Sequence, residues 1–191
     1  MPIGVLALQG DYDAHAQMIE RCGAVARRVR CPRELEQVSG LIIPGGESTT
    51  IGKLIDRWGL HEPLLERARQ GMPIWGTCAG LILLARRVEE SDQYRIGLLD
   101  VTVRRNAFGR QVDSFETDLP IRGFAGDPVR AVFIRAPLIT EVGPEAEALC
   151  ETDAGVVMVR QGNLWGTSFH PELTDDCRMH QAFVDLARTD R

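Results

Sequence analysis

A three-layer α/β fold is what the sequence predicts, with a mostly parallel central sheet, helices on both faces and an added antiparallel portion in the C-terminal half. Three observations predict it. Apolar, β-branched runs alternate with helix-favouring segments from residue 3 to residue 88, the pattern of strand–helix–strand units whose strands are covered on both faces. Two of those runs break into glycine turns, Gly45-Gly46 and Gly76-Thr77-Cys78-Ala79-Gly80, and in such folds sites form at the carboxyl ends of the strands. After about Gly97 the chain becomes a series of short strand-like stretches separated by turn residues, which predicts antiparallel pairing.

The elements follow in order. Ile3 to Leu8 reads as a central strand, and Asp11 as the cap of a helix through about Cys22 that Gly23 ends, with Ala14, Met18, Ile19 and Cys22 near one face. Val25 to Val29 is a second strand, with arginines 27, 28, 30 and 33 read as a solvated strand end. Gly40 to Ile43 is a buried strand. Helices are expected over Thr50 to Trp58 and His61 to Gln70, and Gly71-Met72-Pro73 returns the chain to a strand at Ile74-Trp75. An apolar helical segment resumes at Leu81. Leu99–Arg104, Val112–Leu119, Val129–Arg135, Ala148–Thr152, Gly155–Arg160 and Asn163–Ser168 are strand candidates, with a hairpin turn at Gln161-Gly162-Asn163. A helix from about Asp175 to Ala187 closes a single domain spanning 1–191. The architecture is flavodoxin-like.

Bulk properties exclude several classes. At 191 residues with 44% hydrophobic and 26% charged residues, the chain can bury roughly 70% of its unfolded surface without staples. A formal charge of −5 offers no footprint for nucleic acid. Met1 to Leu8 lacks a basic n-region, and no apolar run approaches the roughly 20 residues that span a bilayer. The five cysteines form no C-x-x-C pair, which argues against a disulfide framework or a zinc ribbon and for reduced thiols in the cytoplasm.

Chemistry concentrates in three stretches. Gly76-Thr77-Cys78-Ala79-Gly80 is the thiol counterpart of the Gly-x-Ser-x-Gly elbow, in which a sharp strand-to-helix turn holds a nucleophile out above the sheet. Backbone N–H groups and a helix N-terminus there favour thiolate over thiol. Phe169-His170-Pro171-Glu172 has the composition of an oriented base, an imidazole to take the thiol proton and a carboxylate to fix its tautomer. The deaminase zinc signature fails, since Cys177 has no partner at the required spacing. Pro44-Gly45-Gly46-Glu47-Ser48-Thr49 is not a Walker loop, because five residues separate Gly46 from Gly52 and Leu54 follows Lys53. Its position after a buried strand makes it a candidate oxyanion loop. Arg105 and Arg135 stand near strand ends, either as clamps for a substrate carboxylate or as solvated side chains. His15, His61 and His180 read as surface or satisfied residues, and Cys22, Cys31, Cys150 and Cys177 as structural thiols.

In that order, Pro44-Gly45-Gly46-Glu47-Ser48, Gly76-Thr77-Cys78-Ala79-Gly80 and Phe169-His170-Pro171-Glu172 resemble the class I, triad-type glutamine amidotransferases. Leu6-Ala7-Leu8-Gln9-Gly10-Asp11, Gly45 to Thr50, Asn106 to Glu116 and Phe133-Ile134-Arg135-Ala136-Pro137 look like the glutaminase subunits of pyridoxal 5′-phosphate synthase. The resemblance implies a Cys78, His170, Glu172 triad and an oxyanion hole from the backbone N–H groups of Gly46 and Ala79. It implies L-glutamine contacts at Gly46, Glu47, Ser48, Arg105, Ile134 and Arg135. It further implies no cofactor or metal on this subunit, and a (β/α)₈-barrel synthase subunit as partner in a large hetero-oligomer. The nearest alternatives are amidotransferase subunits of other pathways and a cysteine hydrolase sharing the sheet and the elbow.

Overall fold

In the computed structural model, residues 1–107 and 114–189 are described. Residues 108–113, which include Phe108 to Asp113 of the Asn106–Glu116 motif and the first two residues of the expected Val112 strand, lie outside them.

The first half alternates strand and helix: β1 (Ile3–Leu6), α1 (Tyr12–Arg21), β2 (Ala26–Val29), α2 (Pro32–Leu35), β3 (Gly40–Ile43), α3 (Ser48–Arg57), α4 (His61–Arg69), β4 (Ile74–Thr77) and α5 (Ala79–Leu84). Then come β5 (Ala85–Val88), β6 (Leu99–Arg104), β7 (Ser114–Leu119), β8 (Val129–Ile134), β9 (Leu138–Val142), β10 (Glu147–Thr152), β11 (Gly155–Gln161), β12 (Leu164–Thr167), a 3-10 turn (Pro171–Leu173) and α6 (Arg178–Thr189).

The described strands form a ten-stranded sheet in the order β2-β1-β3-β4-β12-β11-β9-β6-β5, with β10 on β11, and a separate β7-β8 pair. The run from β2 to β12 is parallel. That parallel run is the expected central sheet, and the antiparallel portion is built from β11/β12, β10/β11, β9/β11, β6/β9 and β7/β8. Antiparallel pairing does not hold throughout the second half, however. β12 returns beside β4 in parallel, and β5 pairs with β6 in parallel. The return of β12 matters for the site, because it brings the chain just before His170 alongside the chain just before Cys78, with Thr167 opposite Thr77.

Strand periodicity sorts the core into two layers. Leu6, Leu41, Ile43 and Ile74 face a cluster with Ile51 and Ile55 of α3, Leu64 of α4 and Leu81 of α5. Their neighbours Ile3, Val5, Ile42 and Trp75 face the opposite cluster with Ile19 of α1 and Phe183 and Val184 of α6. Each fully buried aliphatic side chain contributes about 1.5–3 kcal/mol, so helices on both faces are required to cover the parallel strands.

Several boundaries move for identifiable reasons. α3 starts at Ser48 because the Glu47 carboxylate accepts hydrogen bonds from the Thr49 and Thr50 N–H groups, capping the helix two residues earlier than expected. α6 starts at Arg178, whose N–H donates to Asp176 Oδ1 at 3.0 Å. Asp11 does occupy the cap position of α1, but its side chain makes no cap hydrogen bond. The buried face of that helix is His15, Ala16, Met18 and Ile19, with Ala14 only partly covered. The hairpin turn at Gly162-Asn163 forms as expected, with Gln161 opposite Leu164 and Gly162 at φ 56°.

Candidate active site

Cys78 occupies the junction between β4 and α5 with φ 49° and ψ −102°, a left-handed conformation that costs a non-glycine residue of the order of 1–3 kcal/mol. The surroundings hold it there. The Cys78 N–H donates to Thr167 O of β12 at 2.8 Å. A Cβ on Gly80 would sit 2.1 Å from Ile43 O, so only glycine lets α5 turn this tightly against β3. The elbow is therefore backbone geometry enforced by close packing, and it turns the thiol toward the carboxyl ends of β3, β4 and β12.

His170 follows β12, and its N–H donates to Val132 O of β8 at 2.8 Å. Its ring lies against the Gly45 backbone so closely that a Cβ there would be 2.3 Å from Cε1. The His170 Nδ1–H donates to Glu172 Oε1 at 2.7 Å, and its ring lines the same cavity as Cys78. Glu172 comes from the 3-10 turn and is almost fully buried. Cys78 Sγ also lies 3.9 Å from Ile134 O. The structure thus brings Cys78 and His170 to one cavity, with Glu172 bonded to His170 from behind.

The electrostatics follow from this packing. Burial pulls the His170 imidazole down, but the Cys78 and Glu172 side chains beside it outweigh burial and raise the group to about 10. Burial pushes the Glu172 carboxyl up, while the imidazoles facing it, His15 and His170, hold it below the usual range. Burial keeps His15 itself neutral. It acts through its N–H dipole, and the net positive charge beside Glu172 belongs to His170. A buried carboxylate next to an imidazolium is paired, and its partner holds a proton at the wall of the cavity that Cys78 lines.

The second wall is the β3–α3 loop. Gln9, just past β1, accepts a hydrogen bond from the Glu47 N–H at 2.8 Å, and the Asp11 N–H donates to Gly45 O at 3.2 Å. The β1–α1 turn thereby braces the loop that carries Gly46. A cavity of about 460 Å³ opens here, lined among others by Gly46, Glu47, Ser48, Cys78, Ala79, Arg105, Ile134, Arg135 and His170. Every expected site residue except Glu172 borders it, and Glu172 stands behind His170.

Roles within the cavity differ from what side-chain chemistry alone suggests. The Glu47 carboxylate is held down to about 2 by hydrogen bonds from Thr49 and Thr50. It is occupied in capping α3. Arg105 Nη1 donates to Gln93 Oε1 at 3.0 Å and Nη2 lies 3.8 Å from Glu47 Oε1, which fixes the guanidinium at the cavity edge. Arg135 is exposed at φ 42°, and Ile134 is 37% exposed. Among the described residues, no cluster of three or more His, Cys, Asp or Glu could hold a metal ion, and no helix is long and apolar enough to cross a membrane.

Sequence reasoning missed four participants. Gln9 carried a signal, since it directly follows a strand at the same sheet edge as the elbow. Gln93, His15 and His180 carried none. Of the two readings of these histidines, surface or satisfied, the second holds: both are 0% exposed and bonded to each other at 2.9 Å across 165 positions of sequence.

Comparisons with known proteins identify the family and the fold. A model of the SNO glutamine amidotransferase family matches residues 5–188. The pyridoxal 5′-phosphate synthase subunit PdxT of Carboxydothermus hydrogenoformans is 55% identical over 185 residues, covering 97% of each chain. The subunit of the same name from Streptomyces avermitilis is 56% identical over 191 residues, covering 99% of this chain and 95% of the relative. A crystal structure described as a glutamine amidotransferase superposes with TM-score 0.94 at 45% identity, covering 98% of this chain and all of that one. PurLQS from Thermotoga maritima shares the fold alone, with TM-score 0.72 at 16% identity over 96% of this chain and 97% of that one.

Proposed function

This chain belongs to the SNO glutamine amidotransferase family, and on that premise we propose that it is the glutaminase subunit of a pyridoxal 5′-phosphate synthase. It hydrolyses L-glutamine to L-glutamate and ammonia and passes the ammonia to a (β/α)₈-barrel synthase subunit in a hetero-oligomer. The observation that carries the reading is a cavity lined by Cys78, His170 and the Gly46 loop, with Glu172 hydrogen-bonded to His170 from behind. Near end-to-end similarity to PdxT subunits supports the same assignment.

The chemistry runs as two acyl transfers. The Cys78 thiolate forms a bond to the side-chain amide carbon of glutamine, and the carbonyl electron pair moves onto oxygen. The Gly46 and Ala79 N–H groups receive that oxyanion; one such donor is worth about 10²–10³ in rate. As the C–N bond breaks, protonated His170 gives its proton to the departing nitrogen and ammonia leaves a γ-glutamyl thioester. Water then attacks the thioester, His170 takes its proton, and the carbon–sulfur bond breaks to release glutamate. Positioned proton transfer of this kind contributes about 10²–10⁴. Glu172 keeps His170 in the tautomer and orientation that both halves need. The glutamine head group is held at the rim, where Arg105 offers a fixed guanidinium to a carboxylate, with Ser48, Ile134 and Arg135 completing the contacts.

Ammonia free in water at neutral pH is mostly ammonium and a poor nucleophile, so direct transfer to a partner follows from the product's own chemistry. The test is glutamate release from L-glutamine, measured with this chain alone and with a pyridoxal 5′-phosphate synthase subunit added. Release that rises severalfold on addition is expected. Release that the partner leaves unchanged contradicts the assignment to this synthase, whatever the state of the triad.

A further inference from the structure

Behind the cavity, His15 of α1 and His180 of α6 are buried without any exposure. His15 lies edge-on to Trp75 and His180 is tilted against it, with ring centroids 6.1 Å and 5.1 Å from its own. His15 Nδ1 is 2.9 Å from His180 Nε2, while His15 Nε2 is 3.1 Å from Thr77 Oγ1 and 3.3 Å from Glu172 Oε2. Thr77 is the residue before Cys78. A carboxylate can only accept, so the His15 proton facing Glu172 sits on Nε2. Nδ1 then accepts, and the His180 Nε2–H donates to it. This leaves His180 Nδ1 as a bare lone pair with no partner among the described residues. Glu172 Oε2 likewise has no hydrogen-bond partner among the described residues, the His15 Nε2–H that lies 3.3 Å from it being bonded to Thr77 Oγ1.

A buried carboxylate whose first oxygen is committed to His170 is held in place by whatever faces its second. We propose that His15 is a positioning residue for the hydrolytic site, its Nε2–H bracketing Glu172 Oε2 and Thr77 Oγ1 so that carboxylate and elbow keep one spacing, with His180 fixing the tautomer that makes this possible. This rests on the reading of Cys78, His170 and Glu172 as the hydrolytic machinery. Two nonpolar residues would fill the same space with less desolvation cost, which a purely structural role would favour.

The charged and titratable groups facing His15 are Glu172, His170, Asp11 and His180, and those facing His180 are His15, Glu172 and Arg21. Both imidazoles are pulled down by burial, so neither titrates in the neutral range. Removing the His15 N–H takes away a group that favours the charged form of Glu172, and the carboxyl then protonates at higher pH.

The experiment measures glutamate release by the complex with the synthase subunit, for wild type, His15→Leu and His15→Gln, over a range of pH. His15→Leu is expected to lower kcat about 10- to 100-fold, the range for residues that orient a functional group from behind, with KM within about twofold by the same argument and the acid limb of kcat/KM moved to higher pH. His15→Gln keeps an N–H at the Nε2 end and restores most of kcat. If the leucine variant does not assemble, His15→Asn, whose amide faces His180 and withdraws from Glu172, gives the same loss relative to His15→Gln. Wild-type kcat with an unmoved acid limb in His15→Leu, or equal losses in the leucine and glutamine variants with the limb unmoved, overturns the proposal. A wild-type complex that releases no glutamate overturns the underlying reading instead, and this inference with it.

Discussion

Cys78→Ser is expected to abolish glutamate release by the assembled complex, a loss of about 10⁴-fold or more, as removal of a nucleophile from a triad does elsewhere. Serine fits the elbow, because the strained turn is set by the glycines and the Thr167 hydrogen bond rather than by sulfur. A serine hydroxyl is nevertheless a far weaker nucleophile than a cysteine sulfur under the same base. The expected result is an enzyme that folds, assembles and binds glutamine with little change and does not turn it over. Assay of glutamate together with thermal unfolding separates the two effects. Wild-type turnover in Cys78→Ser contradicts the mechanism, and so does a collapse of stability in place of a loss of chemistry.

Glu172→Gln is expected to cost about 10³–10⁴ in kcat while leaving the site's shape intact, by analogy with carboxylate-to-amide changes in other triads. The reason is tautomeric. Glu172 Oε1 accepts the Nδ1–H of His170 at 2.7 Å, which leaves Nε2 free to exchange a proton with Cys78. A glutamine amide nitrogen in the same place donates to Nδ1 and drives the proton to the wrong side of the ring. The change also removes the carboxylate that helps raise His170 to about 10. A group raised in this way adds stability in full below its unfolded value near 6.5, and that stability is lost as pH rises toward 10. The variant should therefore lose stability chiefly below about pH 7, and its unfolding midpoint should vary less with pH between 7 and 10 than that of wild type. A variant retaining more than a tenth of wild-type kcat would remove Glu172 from the proposed triad.

How much was legible beforehand depended on how local each determinant was. The parallel half was readable because strands buried on both faces are written as unbroken apolar runs, as in Ile3–Leu6, Gly40–Ile43 and Ile74–Trp75. β5 was not, since Arg86 and Arg87 point to solvent and only Ala85 and Val88 are buried, so its four residues look like a helix end. β9 was hidden behind Ala136-Pro137 and its exposed Thr140 and Glu141. The three motifs that meet at the cavity were legible as motifs. Their meeting depends on β12 inserting beside β4, a long-range pairing that no local pattern encodes. His15 shows the same limit more sharply, because a lone histidine on an amphipathic helix is explained only by Glu172 and His180, both more than 150 residues away.

One thiol among five carries the proposed chemistry. The most direct measurement is covalent labelling with a glutamine analogue whose side-chain amide is replaced by an electrophilic ketone, applied to the complex and read by peptide mass mapping. A single adduct on Cys78 is expected, blocked by excess L-glutamine, with Cys22, Cys31, Cys150 and Cys177 unmodified. An adduct on any of those four in place of Cys78, or labelling of Cys78 that L-glutamine fails to prevent, would contradict it.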